Sequence, residues 1–352
     1  MLCVLYVPPH CCPLTLYTSA ARRAYDVMQI LRACARSNGT GDTMYYKNVL
    51  EAVGGTPLIR LNHIGGSDCA EILVKYEAVN IGGSIKTRTA LNMIECAERR
   101  GDITPGETII CEPTSGNQGI GLALVGAVKG YRVRIVMPDS VSEERRKLIA
   151  AYGAELVLIH DDGDIGKCID ECLKTALRMA KEDSRVYVPQ QFSNPDNPSV
   201  QYSRTAAEIL EQVDGTIDGF CSGVGTGGTI SGIGAALREK NPDIVIWAVE
   251  PENAAILSGG SIGTHLQMGI GDGLIPDNLN TSIYSEVCIV TDDEALDMAR
   301  QLMRREGLMS GISSGSNVAA AVRLAKKLGP GKRVVTILPD TGERYFSTAL
   351  FD

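Results

Sequence analysis

No apolar run in this 352-residue chain approaches the roughly 18 residues that a membrane-spanning helix needs, so no span is expected. Basic charge is not in excess either. Lys and Arg number 34 against 42 Asp and Glu, and the net charge of −8 argues against nucleic acid or an anionic membrane as a principal partner. The 11 cysteines contain no C-x-x-C pair, and the chain has no internal repeat. Cys3, Cys11, Cys12 and Cys34 crowd the start, while Cys69, Cys96, Cys111, Cys168, Cys172, Cys221 and Cys288 are scattered through apolar segments. That is the pattern of reduced thiols used as small core residues in a cytoplasmic protein. Cys168 and Cys172 share a helix face but have no third ligand type near them in sequence, so no metal site is expected. With 44% hydrophobic and 22% charged residues, what remains is an ordinary globular composition, long enough for one large or two medium domains.

Residues 1–43 differ from the rest. They carry three prolines and a His10-Cys11-Cys12 cluster, and their four arginines against two aspartates oppose the acidic balance of the remainder. Their apolar opening has no basic n-region, which weakens a secretory reading. They are expected to be an N-terminal extension, disordered or not native, with Met44 as a natural start. From Met44 onward, strand-like runs at 71–79, 108–111, 133–137, 155–159, 218–221, 244–249, 287–290 and 333–338 alternate with helical patterns at 86–101, 117–129, 142–153, 166–182, 199–213, 228–239, 293–306 and 315–328. Such alternation predicts an α/β fold of parallel sheets covered by helices. The QFSNPDNP stretch at 191–198 interrupts it and is the expected crossing between two domains, 44–194 and 195–352.

Ligands of open α/β sheets lie at the carboxyl ends of strands, and four such loops here are rich in Gly, Ser, Thr and Asn. The first, Asn80 to Arg88, puts Lys86 on the opening turn of a helix behind Gly82 and Gly83. A helix N-terminus and burial both disfavour the ammonium form, so Lys86 is a candidate amine nucleophile for Schiff-base chemistry, although most such lysines are solvated surface residues. The second, Glu112 to Gly119, offers the hydroxyls of Thr114 and Ser115 and helix-start N–H groups, an anion site suited to a carboxylate or a plain N-cap cluster. The third, Ser222 to Thr229, suits a phosphate. It also satisfies G-x-G-x-x-G at Gly223, Gly225 and Gly228, with Glu250 where a ribose-binding acid would sit, so a nicotinamide-dependent oxidoreductase is a rival reading. The fourth, Gly311 to Asn317, reads alone as an N-cap. An aldehyde, a phosphate and a partner carboxylate are what the first three loops ask for together, and pyridoxal 5′-phosphate with an amino acid meets all three.

On these loops, and on GGTPL at 54–58, GGSIK ending at Lys86, EPTSGN ending at Asn117, QQF at 190–192, GTGGT at 225–229, GISSG at 311–315 and GERYFST from Gly342, the chain from about Tyr45 to Phe351 resembles the cysteine synthase (O-acetylserine sulfhydrylase) and cystathionine β-synthase family. These are fold-type II pyridoxal-phosphate enzymes. The resemblance implies two open, parallel-rich sheet domains of the tryptophan synthase β-like kind, with the cofactor in the cleft between them. The smaller domain would be mobile, and the segment 58–80 would pair with the larger one. It further implies that Lys86 holds the cofactor and moves the α-proton, that Asn117 bonds the phenolic oxygen, and that Gly225, Thr226, Gly227, Gly228 and Thr229 cradle the phosphate. Ser313 would face the pyridine nitrogen, and Thr114, Ser115, Gly116, Gln118 and Gln191 would bind the substrate. The implied reaction is β-replacement of O-acetyl-L-serine by sulfide through an α-aminoacrylate, giving L-cysteine and acetate, in a cytoplasmic homodimer that can dock a serine acetyltransferase tail. Thr87, Gln118, Asp272 and the Asp340-Thr341 pair depart from the family pattern. Gln118 and Asp272 leave open another activated serine, another nucleophile, or a cystathionine β-synthase-like or cysteine desulfhydrase activity.

Overall fold

Two sheets of parallel strands, both buried on two faces, account for the Val- and Ile-rich runs of the sequence. The computed structural model describes residues 45–114, 116–163 and 165–352. The expected extension at 1–43 and the substrate-loop residue Ser115 lie outside them. In chain order the elements are β1 (Leu58–Arg60), β2 (Glu71–Tyr76), α1 (Lys86–Arg100), β3 (Ile109–Pro113), α2 (Asn117–Lys129), β4 (Arg132–Pro138), α3 (Glu143–Ala151) and β5 (Glu155–Ile159). Then follow α4 (Ile165–Glu182), β6 (Val186–Tyr187), α5 (Asp196–Val200), a π-helical turn (Gln201–Thr205), α6 (Ala206–Gln212), β7 (Gly219–Gly223) and α7 (Gly228–Lys240). Last come β8 (Val245–Pro251), β9 (Glu286–Val290), α8 (Asp292–Gln301), α9 (Ile312–Leu328) and β10 (Arg333–Leu338).

The larger sheet has the order β1-β2-β10-β7-β8-β9 and the smaller β5-β4-β3-β6. Every pairing is parallel except β1 with β2. The strands β1 and β2 thus belong to the larger sheet although they precede the smaller one in sequence. The larger sheet has one apolar layer built on Val74, Val249, Val318 and Leu324 and another on Phe220, Ile230, Ile246 and Val335. The smaller sheet packs on Ile94, Leu122 and Ile135 on one side and on Cys111, Val136, Cys168 and Cys172 on the other. Of the scattered cysteines Cys111, Cys168, Cys172, Cys221 and Cys288 are buried core residues, Cys69 and Cys96 are half-buried, and no disulfide joins those described. Among the described residues no helix is long and apolar enough to cross a membrane.

Several boundaries differ from expectation. The strand expected over 71–79 ends at Tyr76, because residues 77–79 form a 3-10 turn that carries the chain round toward Lys86. The helix expected from residue 315 begins at Ile312, so the Ser313-Ser314-Gly315 run is its first turn and not a loop. The start of α1 is clamped by a buried ion network. Arg88 donates Nε and Nη2 to Glu77, each at 2.9 Å, and Nη1 and Nη2 to Glu208 at 2.6 and 2.7 Å. Lys75 Nζ, fully buried, joins Glu208 at 2.8 Å. The helix that begins at Lys86 is thereby tied to the end of β2 and to α6.

Candidate active site

The carboxyl ends of the two sheets face one seam. Ser84 and Asp340 form an isolated bridge there, and the Gly311 N–H donates to the Asp340 carbonyl at 3.1 Å, bringing the start of α9 to the end of β10. Lys86 stands on this seam as the first residue of α1. The backbone of α2 approaches its carbonyl closely: a Cβ on Gly121 would lie 3.0 Å from the Lys86 oxygen and 3.0 Å from the Ala90 methyl, so any side chain there would push the two helices apart. Burial pushes the Lys86 amine below its ordinary range, and the carboxylates of Asp272 and Asp340 only partly oppose this. The neutral amine is what a carbonyl-attacking lysine requires. Thr87, which follows it, is buried with an unpartnered hydroxyl.

From the smaller sheet come Thr114, Gly116 and Asn117, at the turn between β3 and α2. The Asn117 Nδ2 donates to Asp340 Oδ2 at 2.7 Å, and its Oδ1 accepts from Arg344. A second N–H on Nδ2 remains available. The Tyr345 hydroxyl also donates to Asp340 Oδ2, at 2.7 Å. Gln118, expected near a substrate, lies 1% exposed against α1, with Nε2 3.7 Å from Met93 Sδ and Oε1 unpartnered. Gln191 is buried, and its carbonyl accepts from Asn197 Nδ2 at 2.8 Å and Asn278 Nδ2 at 2.9 Å.

From the larger sheet comes the glycine loop between β7 and α7. Asn197 Nδ2 also reaches Thr226 Oγ1 at 2.9 Å, leaving that hydroxyl its own proton to donate. Gly227 has φ +76°, and a Cβ there would stand 2.8 Å from the Leu279 backbone. A Cβ on Gly225 would lie 2.5 Å from the Gly269 carbonyl and 3.2 Å from Asp272 Oδ2. Asp272 therefore sits beside the cradle and within electrostatic reach of Lys86. Burial raises its carboxyl, against the opposing pull of Lys86 and His265. The Gln267 N–H donates to His265 Nδ1 at 3.1 Å, so the ring proton belongs on Nε2, which lies 3.0 Å from the Gly271 carbonyl. Ser313 is 3% exposed in the first turn of α9.

These residues fit pyridoxal 5′-phosphate. A desolvated amine, a side-chain amide with a spare donor and a helix N-terminus with a glycine cradle lie around one seam, and the hydroxyls of Ser84 and Ser314 and the Oδ1 of Asp340 are buried beside it without partners. The dinucleotide reading does not fit. Glu250, its expected ribose acid, spends its carboxylate on the Leu257 N–H at 2.8 Å and the Ser258 N–H and hydroxyl at 3.1 and 2.6 Å. Among the described residues no group of three or more His, Cys, Asp or Glu side chains could hold a metal.

Sequence reasoning passed over Glu112, Asn197, Asn278, Arg145 and Arg344. Arg145 is 5% exposed, places its guanidinium 4.8 Å over the Tyr345 ring and donates Nη1 to Met268 Sδ at 2.9 Å. Glu112 and Asn197 lie inside motifs already in view, EPTSGN and QFSNPDNP, where they read as punctuation. Their signal was the presence of acid and amide types in apolar surroundings.

The sequence pattern of the family described as "Pyridoxal-phosphate dependent enzyme" matches residues 49–340. A cysteine synthase of Staphylococcus aureus (strain Mu50 / ATCC 700699) is 49% identical over 308 residues, 86% of this chain and 96% of that protein. Among solved structures, the cysteine synthase of Entamoeba histolytica is 40% identical with a TM-score of 0.82, over 89% of this chain and 93% of that one. A hydrogen sulfide-producing enzyme from Fusobacterium nucleatum is 40% identical with a TM-score of 0.81, over 86% of this chain and all of that one.

Proposed function

We propose, for a chain that belongs to the pyridoxal-phosphate dependent enzyme family and takes pyridoxal 5′-phosphate as its cofactor, a β-replacement in which O-acetyl-L-serine and sulfide give L-cysteine and acetate. The observation that carries this reading is the seam itself, where the desolvated Lys86 amine stands between a phosphate cradle on one sheet and a carboxylate-suited loop on the other. The names of the Staphylococcus and Entamoeba relatives support the choice of substrate.

The cofactor, when bound, supplies an electron sink for bonds broken at the substrate Cα. In this reading Lys86 would hold the cofactor through its amine, and the same amine would take the substrate α-proton. The backbone of Gly225, Gly227 and Gly228 with the hydroxyls of Thr226 and Thr229 holds its phosphate at the N-terminus of α7. Asn117 gives its spare N–H to the phenolic oxygen. Ser313 would face the ring nitrogen with a neutral hydroxyl in place of a charged partner. Thr114, Ser115, Gly116 and Gln191 grip the substrate carboxylate, with Gln118 behind them. Closure of the part built on the smaller sheet, the strands β3 to β6, excludes water. A cytoplasmic homodimer able to accept a serine acetyltransferase tail belongs to the same reading, supported by the family resemblance alone.

One observation favours a second reading, release of sulfide from L-cysteine. Asp272, a carboxyl raised by burial, sits beside the cradle within electrostatic reach of Lys86, and the Fusobacterium relative is named a hydrogen sulfide-producing enzyme. Steady-state kinetics with O-acetylserine, O-phosphoserine, serine and cysteine, each against sulfide and homocysteine, separate the readings. The synthetic reading expects the highest kcat/KM for O-acetylserine with sulfide, and no cysteine formed from that pair would overturn it. The second reading expects sulfide from cysteine in the wild type and its loss in Asp272→Ala.

A further inference from the structure

The backbone of Gln191 is fixed at both ends by buried side chains, two from distant parts of the chain, Glu112 and Asn278, and one from six residues on, Asn197. Its N–H donates to Glu112 Oε1 at 2.8 Å, and the neighbouring Gln190 N–H donates to Glu112 Oε2 at 2.8 Å. Its carbonyl takes the amides of Asn197 and Asn278. Glu112, Asn197 and Asn278 are 0%, 1% and 8% exposed. Gln190 is the single non-glycine residue with positive φ among those described, at +59°. A side-chain-bearing residue in that region is strained, and the strain persists only where surrounding bonds over-determine it. Here the Gln190 carbonyl accepts the Ser193 and Asn194 N–H groups, and the N–H groups of Gln190 and Gln191 both go to one carboxylate set at the end of β3.

We propose that Glu112 is a positioning residue for substrate binding: its carboxylate fixes the Gln190–Gln191 peptide to the end of β3, so that the Gln191 side chain and the donors of Thr114, Gly116 and Asn117 meet one amino acid α-carboxylate. The inference rests on the reading above, in which those segments grip that group. Because Asn197 Nδ2 bonds both the Gln191 carbonyl and Thr226 Oγ1, the same peptide is joined to the phosphate cradle. A neutral acceptor cannot replace the carboxylate. Two N–H donors point at two oxygens, and an acid proton or an amide NH2 on either one would face a donor. No cation is bonded to the charge: Glu112 makes no ion pair among the described residues, Ile135 lies beside it on β4, and the adjoining Cys111 thiol is itself pushed up to about 11 by burial. Burial accordingly raises the Glu112 carboxyl to about 7, with the Gln191 and Gln190 N–H groups pulling the other way. Below that pH the carboxylate takes up a proton and the peptide loses one of its two anchors.

The experiment compares wild type, Glu112→Gln and Gln191→Ala as cofactor-loaded full-length enzymes, measuring kcat, KM for O-acetylserine and the visible absorbance of the bound cofactor across pH. Expected for Glu112→Gln is an unchanged absorbance with KM raised about tenfold, the loss of one hydrogen bond to a charged group. The acidic limb of kcat/KM, present in wild type with a midpoint near 7, is expected to vanish in this variant. If Gln191→Ala leaves KM unchanged, the carboxylate-binding reading fails. If Gln191→Ala raises KM while Glu112→Gln changes neither KM nor the acidic limb, the positioning role fails alone. Should Glu112→Gln not fold, the wild type decides, because a kcat/KM flat from about pH 6 to about pH 8 overturns the proposal.

Discussion

Glu112 leaves a trace in stability as well as in binding. Burial raises its carboxyl to about 7, so the folded chain binds this proton more tightly than the unfolded chain does. Its contribution to stability is therefore complete below the ordinary carboxylate range and is lost as pH rises through about 7. Replacing it by Gln removes the titration. The thermal midpoint of Glu112→Gln relative to wild type is expected to increase from about pH 5 to about pH 8, and an offset independent of pH would contradict the assignment. Gly227 gives a second test at this scale. Alanine there must adopt φ +76° with its methyl 2.8 Å from the Leu279 backbone, so Gly227→Ala is expected to weaken cofactor affinity about tenfold or more, read by absorbance titration of the apoenzyme. Lys86, Asn117 and the glycine loop were legible in the sequence because each lies at a strand-to-helix turn, where local pattern and ligand chemistry coincide. Glu112 and Asn278 were not, because their partners are 79 and 87 residues away, and nothing local marks an acid or amide whose partner is so remote; Asn197 bonds Gln191 six residues back but also Thr226, 29 residues on, and only the fold brings those two together.

At the scale of elements, α1 carries the anchoring lysine, and its first turn is held by ions and not by a side-chain cap. Burial opposes ionisation of Glu208, but its bonds to Arg88 and Lys75 prevail and hold its carboxyl at about 2. That stabilisation is present above the ordinary carboxylate range and is lost as pH falls toward 2. Arg88→Ala strands the fully buried Glu77 and is expected to cost about 3–5 kcal/mol in urea unfolding, whereas Arg88→Met with Glu77→Gln is expected to cost less than the sum of the single changes. The strands foreseen from hydrophobic runs are all present. The two that were missed, β1 and β6, have three and two residues, too few to show a period. The π-helical turn Gln201–Thr205 between α5 and α6 was likewise invisible, since one wider turn leaves the apolar spacing nearly unchanged.

For the whole molecule, the site belongs to neither sheet alone. Lys86 follows β2 of the larger sheet, Asn117 follows β3 of the smaller, and the phosphate cradle follows β7 of the larger. A ligand that touches both sheets couples their unfolding, so stripping the cofactor is expected to lower the thermal midpoint and to split one calorimetric transition into two. A single transition at the same temperature with and without cofactor would show that the sheets are already coupled through protein contacts. The sheet order also bears on how the chain is made. β2 pairs with β10, and the Glu71–Arg333 ion pair inside that contact spans 262 residues. On a ribosome β3, β4, β5 and β6 can assemble as soon as they emerge, while β2, with only the short β1 beside it, must wait for its other neighbour β10 until nearly all of the chain has been synthesised. The chain is thus obliged to finish its second sheet before its first, and β2 is the segment that a chaperone would have to shield.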